Sequence, residues 1–255
     1  MMNRLDLGPL SLTAREYFGD GESSESKSFS RPSTSATFVT ARSSLEGTTP
    51  RDTFAVPSAA ALVPILVDSL ADADVETLAS SIMQIALLLD SADGEDAAAL
   101  GAALRRGPGL ARLVALVEHA DARVHQSALL VIGNLAAHEV DYAADATQQE
   151  LKNLSAFELF LPHVQSATPL TVAYALGAIR NTCTSSEEVS LMQDTGVLAR
   201  LNALATGEVP EGQALAGQPS SELLDHPRLR AYAAGCLVNV RQIMGGLVDA
   251  GPSSS

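Results

Sequence analysis

Three stretches of this 255-residue chain share one helical pattern that ends in an asparagine. They read ALLVIGNLA, ALGAIRNTC and AAGCLVNVR, at residues 128–136, 175–183 and 233–241. Alignment on Asn134, Asn181 and Asn239 puts small or apolar residues together six, five and two positions earlier. A weaker fourth copy places Gln84 at the asparagine position. Such repetition constrains the fold strongly, because each copy must bury its apolar face against the next.

A shorter apolar segment precedes each long one. These segments read ALVPILVDSL, LARLVAL, AFELFLPHV and LARLNAL, beginning at residues 61, 110, 156 and 198. A further short helix is predicted before the second, third and fourth of them, at about 96–106, 146–154 and 187–194. Apolar residues recur with the helical period throughout, and no run alternates as a strand would. The sequence therefore predicts an all-α fold.

A short helix, a glycine-led second helix and a long third helix closing in Ala-Leu-x-x-Ile-x-Asn-Leu resemble the armadillo repeat. About 3.5–4 copies fit between residues 59 and 244, and the aligned positions 84, 134, 181 and 239 are 50, 47 and 58 residues apart. HEAT repeats are the nearest alternative, but they usually lack the short first helix and this asparagine. The resemblance implies a right-handed α-α superhelix, an armadillo-type solenoid, whose third helices line a concave groove.

The resemblance also implies that the third-helix asparagines hold the backbone of an extended peptide, with neighbouring positions on the same helix reading its side chains. The predicted groove residues are Gln84, Ser127, Leu130, Asn134, Tyr174, Gly177, Asn181, Tyr232, Gly235 and Asn239. Alternatively, the asparagines cap a helix or bond to a neighbouring repeat, and the tyrosines pack between helices. Arg180 and Arg241 either meet acidic groups of a ligand or pair with local carboxylates.

The nuclear-import adaptors of this family commonly carry tryptophan four positions before the asparagine. This chain contains no tryptophan, and two of the three corresponding positions are Gly177 and Gly235. The sequence therefore disfavours binding of nuclear-localisation peptides.

Composition divides the chain into three parts. Ser, Thr, Gly and Pro dominate residues 19–57, so we predict a disordered Ser/Thr-rich tail at 1–57. The predicted armadillo-repeat domain covers 58–246, with a polar insertion at 207–225 inside its last repeat, and a disordered carboxyl-terminal tail covers 247–255. No secretory signal or membrane span is apparent in the sequence, which favours a cytoplasmic or nuclear location.

The net charge and the absence of known catalytic motifs limit the classes of function that the sequence favours. With 16 Lys and Arg against 30 Asp and Glu, the formal charge is −14, which disfavours nucleic acid and anionic membranes as partners. No phosphate-binding loop, nucleophile elbow or paired-histidine zinc motif is present, and the two cysteines and five histidines lack metal-ligand spacing. We therefore expect no catalytic residues, no metal, no cofactor and no small-molecule substrate.

The sequence as a whole predicts a monomeric, non-catalytic interaction module that binds an unidentified peptide or protein in its groove. An armadillo clamp of the Hsp70 nucleotide-exchange-factor type and a structural subunit of a larger assembly are alternatives. An enzyme with its site in the 207–225 insertion is a further one, on the carboxylates there.

Overall fold

The structure is a computed structural model that describes residues 59–71, 74–92, 94–209 and 219–249. Within these ranges the chain forms helices and turns and contains no strand, which confirms the all-α prediction. The predicted amino-terminal tail lies outside the described residues, as do residues 210–218 of the insertion and 250–255 of the carboxyl-terminal tail.

The helices group into an incomplete repeat followed by three complete ones. The first pair is α1 (Ala59–Ser69) and α2 (Val75–Ser91). The first complete repeat consists of α3 (Gly94–Arg106), α4 (Gly109–Leu116) and α5 (Ala122–Leu135), and the second of α6 (Ala144–Asn153), α7 (Ala156–Val164) and α8 (Pro169–Thr182). The third consists of α9 (Ser186–Asp194), α10 (Val197–Thr206) and α12 (Pro227–Asp249), with the short α11 (Ser221–Asp225) before α12. Because α1 and α2 correspond to a second and a third helix, the array agrees with the predicted 3.5–4 repeats.

The repeats stack through one continuous core. The third helices α2, α5, α8 and α12 pack on one another in sequence, and the second helix of each repeat packs on its own third helix. Three alanines that the sequence alignment made equivalent, Ala128, Ala175 and Ala233, all have no exposed surface. Their small side chains allow the successive third helices to approach closely, which is what the repeat pattern requires.

Side-chain caps start several helices. The Asp74 carboxylate accepts hydrogen bonds from the Thr77 backbone N–H (2.9 Å) and hydroxyl (2.7 Å) at the start of α2. These bonds from Thr77 lower the pKa of Asp74, since they stabilise the ionised carboxylate. Asp121 accepts from the Arg123 backbone N–H (2.9 Å) at the start of α5. Each cap satisfies an amide that has no partner within its own helix.

The turn from the first to the second helix requires a left-handed residue in two of the three complete repeats. Gly196 has φ +73° before α10, and Ser155 has φ +52° before α7. In the first complete repeat the corresponding residue is Pro108, with φ −77°. Glycine adopts the left-handed region at no steric cost, so Ser155 carries a local strain that Gly196 avoids.

A buried ion pair ties the first two complete repeats together. Asp141, in the segment between α5 and α6, has no exposed surface, and its Oδ2 accepts a 2.6 Å hydrogen bond from Nη1 of Arg105 at the end of α3. The same Nη1 donates to the hydroxyl of Thr147 on α6 (2.6 Å), and Oδ1 of Asp141 accepts from the Ala143 backbone N–H (2.8 Å). One carboxylate therefore joins the first helices of successive repeats.

The last repeat differs from the others between its second and third helices. The polypeptide leaves α10 at Gly207, which has φ +79°, and the described part of the predicted insertion includes α11. The final helix, α12, is longer than the other third helices and continues to Asp249, three residues past the predicted domain end at 246.

Candidate functional site

The aligned asparagines lie on neighbouring helices, because each third helix packs on the one before it. Asn181 on α8 donates from Nδ2 to the Gly133 carbonyl of α5 (2.9 Å), and Asn239 on α12 donates from Nδ2 to the Arg180 carbonyl of α8 (2.6 Å). In both cases the acceptor is the residue just before the aligned asparagine of the preceding repeat. The hydrogen bond to a neighbouring repeat, which the sequence left as an alternative, is thus formed by Asn181 and Asn239.

These bonds use only part of the hydrogen-bonding capacity of each side-chain amide. An asparagine side chain has two N–H donors and an oxygen with two lone pairs. Asn181 and Asn239 are half-buried, and neither makes a second side-chain hydrogen bond to the described residues. Neither Oδ1 is a buried polar atom lacking a partner. Each amide therefore has one N–H and one oxygen that bond no described residue, at equivalent places one repeat apart.

The other two amide positions differ from this pair. Asn134 on α5 is only 6% exposed. Gln84 on α2 is exposed, and its Nε2 donates to the Ser80 hydroxyl of the same helix (3.2 Å). Among the described residues no third helix precedes α2, so Gln84 has no neighbouring carbonyl to bond. The half-buried amides at the aligned positions are therefore those of Asn181 on α8 and Asn239 on α12.

The flanking groove positions are mostly buried. Leu130 has no exposed surface, Ser127, Tyr174 and Tyr232 are at most 6% exposed, and Gly177 and Gly235 are buried. In this conformation Leu130 packs within the core and offers nothing to a ligand. The tyrosine rings contribute apolar area to helix packing, which was the alternative reading of the sequence for both.

Two glutamine side chains that the sequence pattern did not identify also form hydrogen bonds to groups on or beside the third helices. Gln148 on α6 donates from Nε2 to the Ala136 and Asn181 carbonyls (2.9 Å each), and Gln126 on α5 donates from Nε2 to the Thr171 hydroxyl on α8 (2.7 Å). The two glutamines occupy different helices of their repeats, so the alignment on asparagine carried no signal for them.

Both cysteines are buried free thiols. Cys183 and Cys236 are 5% and 2% exposed and unpaired by any disulfide. Burial raises the pKa of each thiol to about 12. Since the thiolate is the reactive form, neither is an activated nucleophile.

Three histidines surround the turn between α4 and α5. The rings of His125 on α5 and His163 on α7 stack with centroids 4.8 Å apart. His125 Nδ1 bonds the His119 carbonyl (3.0 Å) and His163 Nε2 bonds the Val117 carbonyl (2.9 Å), so each ring donates an N–H to a backbone oxygen. His119 Nδ1 accepts from the Asp121 backbone N–H (3.1 Å). The described residues contain no group of three or more His, Cys, Asp or Glu side chains placed to hold a metal ion.

Lowering the pH from 7 to 5 is expected to destabilise the protein partly through His163. Burial first, and then His125, lower the pKa of His163, whereas the Val117 carbonyl and Glu118 oppose that shift. The unfolded chain takes up its proton near the ordinary pKa of about 6.5, before the folded protein does. Stability is therefore unaffected above this pH and falls as the pH drops through it. His163→Gln, which retains an N–H donor, should flatten the decline of the urea midpoint between pH 7 and 5.

The exposed His138, which meets Asp145 at 3.3 Å, provides the control for that measurement. His138→Gln should leave the slope of the midpoint against pH as it is in the wild type. An unchanged slope in His163→Gln would show that the histidine stack does not govern this pH dependence.

A cavity of about 390 Å³ lies away from the amide pair, on the second-helix side of the array. It is lined by Glu158, Leu161, Pro162, Gln165, Leu191, Thr195 and Val197. This lining includes one carboxylate and no histidine, cysteine or lysine. No helix in the described part of the chain is both long and apolar enough to span a bilayer.

The fold of this chain is similar to that of designed armadillo repeat proteins. A designed armadillo repeat protein superposes with a TM-score of 0.51 at 21% identity, over 71% of this chain and 64% of that one. The chain has an armadillo-like repeat fold. A designed armadillo repeat protein in complex with the peptide (KR)4 gives a TM-score of 0.52 at 22% identity, over 75% of this chain and 70% of that one.

A third armadillo-like neighbour is described as computationally designed for modular peptide recognition, with a TM-score of 0.52 at 21% identity over 75% of this chain and 71% of that one. No protein-family model matches the sequence, and no curated protein matches it significantly. The similarity at this identity establishes the armadillo-like fold.

Proposed function

We propose that this protein is a non-catalytic interaction module that binds an extended segment of a partner along its third helices. The observation that carries the proposal is the equivalence of Asn181 and Asn239. Each is half-buried, is fixed by one hydrogen bond to the preceding third helix, and has one N–H and one oxygen that bond no described residue. A peptide group needs one acceptor and one donor, so an amide fixed in this way can hold a backbone whatever its side chains.

Preorganisation supports this role. The interhelical bonds hold the two amides in one orientation before any ligand arrives, which lowers the conformational entropy lost on binding. A designed armadillo repeat protein with a similar fold has a solved structure in complex with the peptide (KR)4. The proposal places the partner backbone across α8 and α12 rather than on α5, where Asn134 is buried.

The test uses a peptide selected for binding to the full chain from a random peptide display library. Asn181→Ala combined with Asn239→Ala should weaken binding of that peptide more than tenfold, because both backbone contacts are lost. The matched control is Asn202→Ala. Asn202 is exposed on α10 and donates only to the Leu198 carbonyl of its own helix (2.9 Å), so its loss should leave the dissociation constant within about twofold.

Folding must be measured beside binding, since the same amides join the repeats. Each lost interhelical bond costs about 1 kcal/mol, so the double variant should unfold earlier in urea while keeping its helical circular dichroism at 25 °C. Binding that survives the double substitution within threefold would show that the asparagine amides do not hold the ligand. Loss of binding in Asn202→Ala as well would point to the second-helix side instead.

A further inference from the structure

The side chain next to the α8 amide crosses to the following repeat. Arg180 directly precedes Asn181, and it extends over Gly235, which lies four residues before Asn239 on α12. A Cβ placed on Gly235 would lie 3.4 Å from Cδ and 3.5 Å from Nε of Arg180. A methyl group on Gly235 would therefore just reach van der Waals contact with the stem of the arginine, which shows that the Arg180 side chain lies against this part of α12.

This guanidinium has no carboxylate partner in the described part of the chain. The ion pairs found there involve Arg105, Arg112, Arg123 and His138. Arg180 is half-buried, and Arg241, two residues after Asn239, is exposed; neither takes part in an ion pair among these residues. Although the formal charge of the chain is −14, Arg180 and Arg241 lie on neighbouring third helices and neither forms an ion pair with a described carboxylate.

Desolvation makes such a cation selective. A half-buried guanidinium loses part of its hydration, and a planar carboxylate restores it through charge-assisted hydrogen bonds. A lysine or arginine of a ligand would instead be repelled at the same place. Charge at an interface decides between partners more than it adds to affinity, so the expected consequence is a preference.

We propose that the surface formed by the third helices α8 and α12 binds an extended segment of a separate partner that carries an acidic side chain, whose carboxylate pairs with Arg180. This inference rests on the proposed function, because Asn181 and Asn239 hold the backbone of the same segment. Arg241 adds positive potential at the carboxyl-terminal end of the site.

The test compares three probe peptides that differ only in charge, (Ser-Glu)4, (Ser-Gln)4 and (Ser-Lys)4, each labelled with fluorescein. The alternating sequence brings an acidic residue to Arg180 in more than one register, so the position of binding need not be known. Fluorescence anisotropy with the full chain at 150 mM salt should give at least tenfold tighter binding of (Ser-Glu)4 than of (Ser-Gln)4. (Ser-Lys)4 should bind the most weakly.

Arg180→Gln should reduce the preference for (Ser-Glu)4 over (Ser-Gln)4 to less than threefold, while thermal unfolding stays unchanged. Arg106→Gln is the matched control, since Arg106 is exposed at the end of α3, a first helix. It should retain the whole preference. Equal binding of (Ser-Glu)4 and (Ser-Gln)4 by the wild type, or equal losses in Arg180→Gln and Arg106→Gln, would overturn the acidic site.

The outcomes separate this inference from the function on which it rests. If all three peptides bind equally and the asparagine double variant abolishes their binding, the backbone role is supported and the acidic preference is refuted. If the double variant binds all three as the wild type does, the proposed function itself fails. If (Ser-Glu)4 binds more tightly after Asp6→Asn, Glu16→Gln and Asp20→Asn are combined, then the chain's own amino-terminal segment competes for the site. That result would overturn the proposal of a separate partner.

Discussion

Asp141→Ala is expected to lower the free energy of unfolding by about 3–5 kcal/mol, the usual cost of breaking one side of a buried ion pair. The substitution leaves the guanidinium of Arg105, whose side chain is only 13% exposed, without its 2.6 Å carboxylate partner. It also removes the acceptor of the Ala143 backbone N–H. Because these groups join α3, the α5–α6 segment and α6, the loss should loosen the contact between two successive repeats.

Urea unfolding followed by circular dichroism at 222 nm measures this effect, with Asp145→Ala as the control. Asp145 lies four residues further along, and its side chain is 87% exposed beside His138. Its removal should change stability by less than about 0.5 kcal/mol. Replacing Arg105 and Asp141 together by leucine should recover part of the loss, since no unpaired charge then remains. A cost below 1 kcal/mol for Asp141→Ala would contradict the buried pair.

Gly133→Leu is expected to cost about 3 kcal/mol or more, at the upper end of the range for overpacking. A Cβ on Gly133 would lie 3.2 Å from the Ala178 backbone nitrogen and 3.4 Å from the Ala178 Cα. The α5 and α8 backbones thus meet almost directly at this glycine, and backbone cannot rotate away as a flexible side chain can. A leucine there forces the helices apart and breaks the Asn181 bond to the Gly133 carbonyl.

Two alanine variants calibrate that prediction in the same urea experiment. Gly235→Ala meets only Arg180 Cδ and Nε, at ordinary contact distances of 3.4 and 3.5 Å. It should stabilise the protein by about 0.5–1 kcal/mol through helix propensity. Gly133→Ala should fall between Gly235→Ala and Gly133→Leu, because the same propensity gain is offset by a tight backbone contact. Equal stabilities for Gly133→Leu and the wild type would show that α5 and α8 are not this close.

The repeat pattern predicted the array from few residues. Ala128, Ala175 and Ala233 were aligned from their distance to an asparagine, and all three are fully buried where successive third helices pack. The first helices were placed to within two residues at both ends, with α9 at Ser186–Asp194 against a predicted 187–194. The residues of a helix that face the core recur with the helical period, so the helices can be predicted from the spacing of apolar residues in the sequence.

The groove was predicted less completely, for a physical reason. The asparagine alignment identified Asn181 and Asn239 but could not distinguish them from Asn134, because burial depends on how closely neighbouring helices approach. The position of a residue such as Leu130 along its helix does not show whether a neighbouring helix buries its side chain. The Arg180 contact with Gly235 joins residues 55 positions apart and has no local pattern.

The sequence by itself determined an all-helical stack of related units, since the spacing of apolar and small residues leaves each unit unable to bury its face alone. It also determined which amides occupy equivalent places. Only the tertiary structure decided that Asn181 and Asn239 donate to the preceding helix, that Asp141 is buried against Arg105, and that Arg180 extends across Gly235. Those outcomes depend on distances between helices that are far apart in the chain, and such distances are set by packing of the whole array.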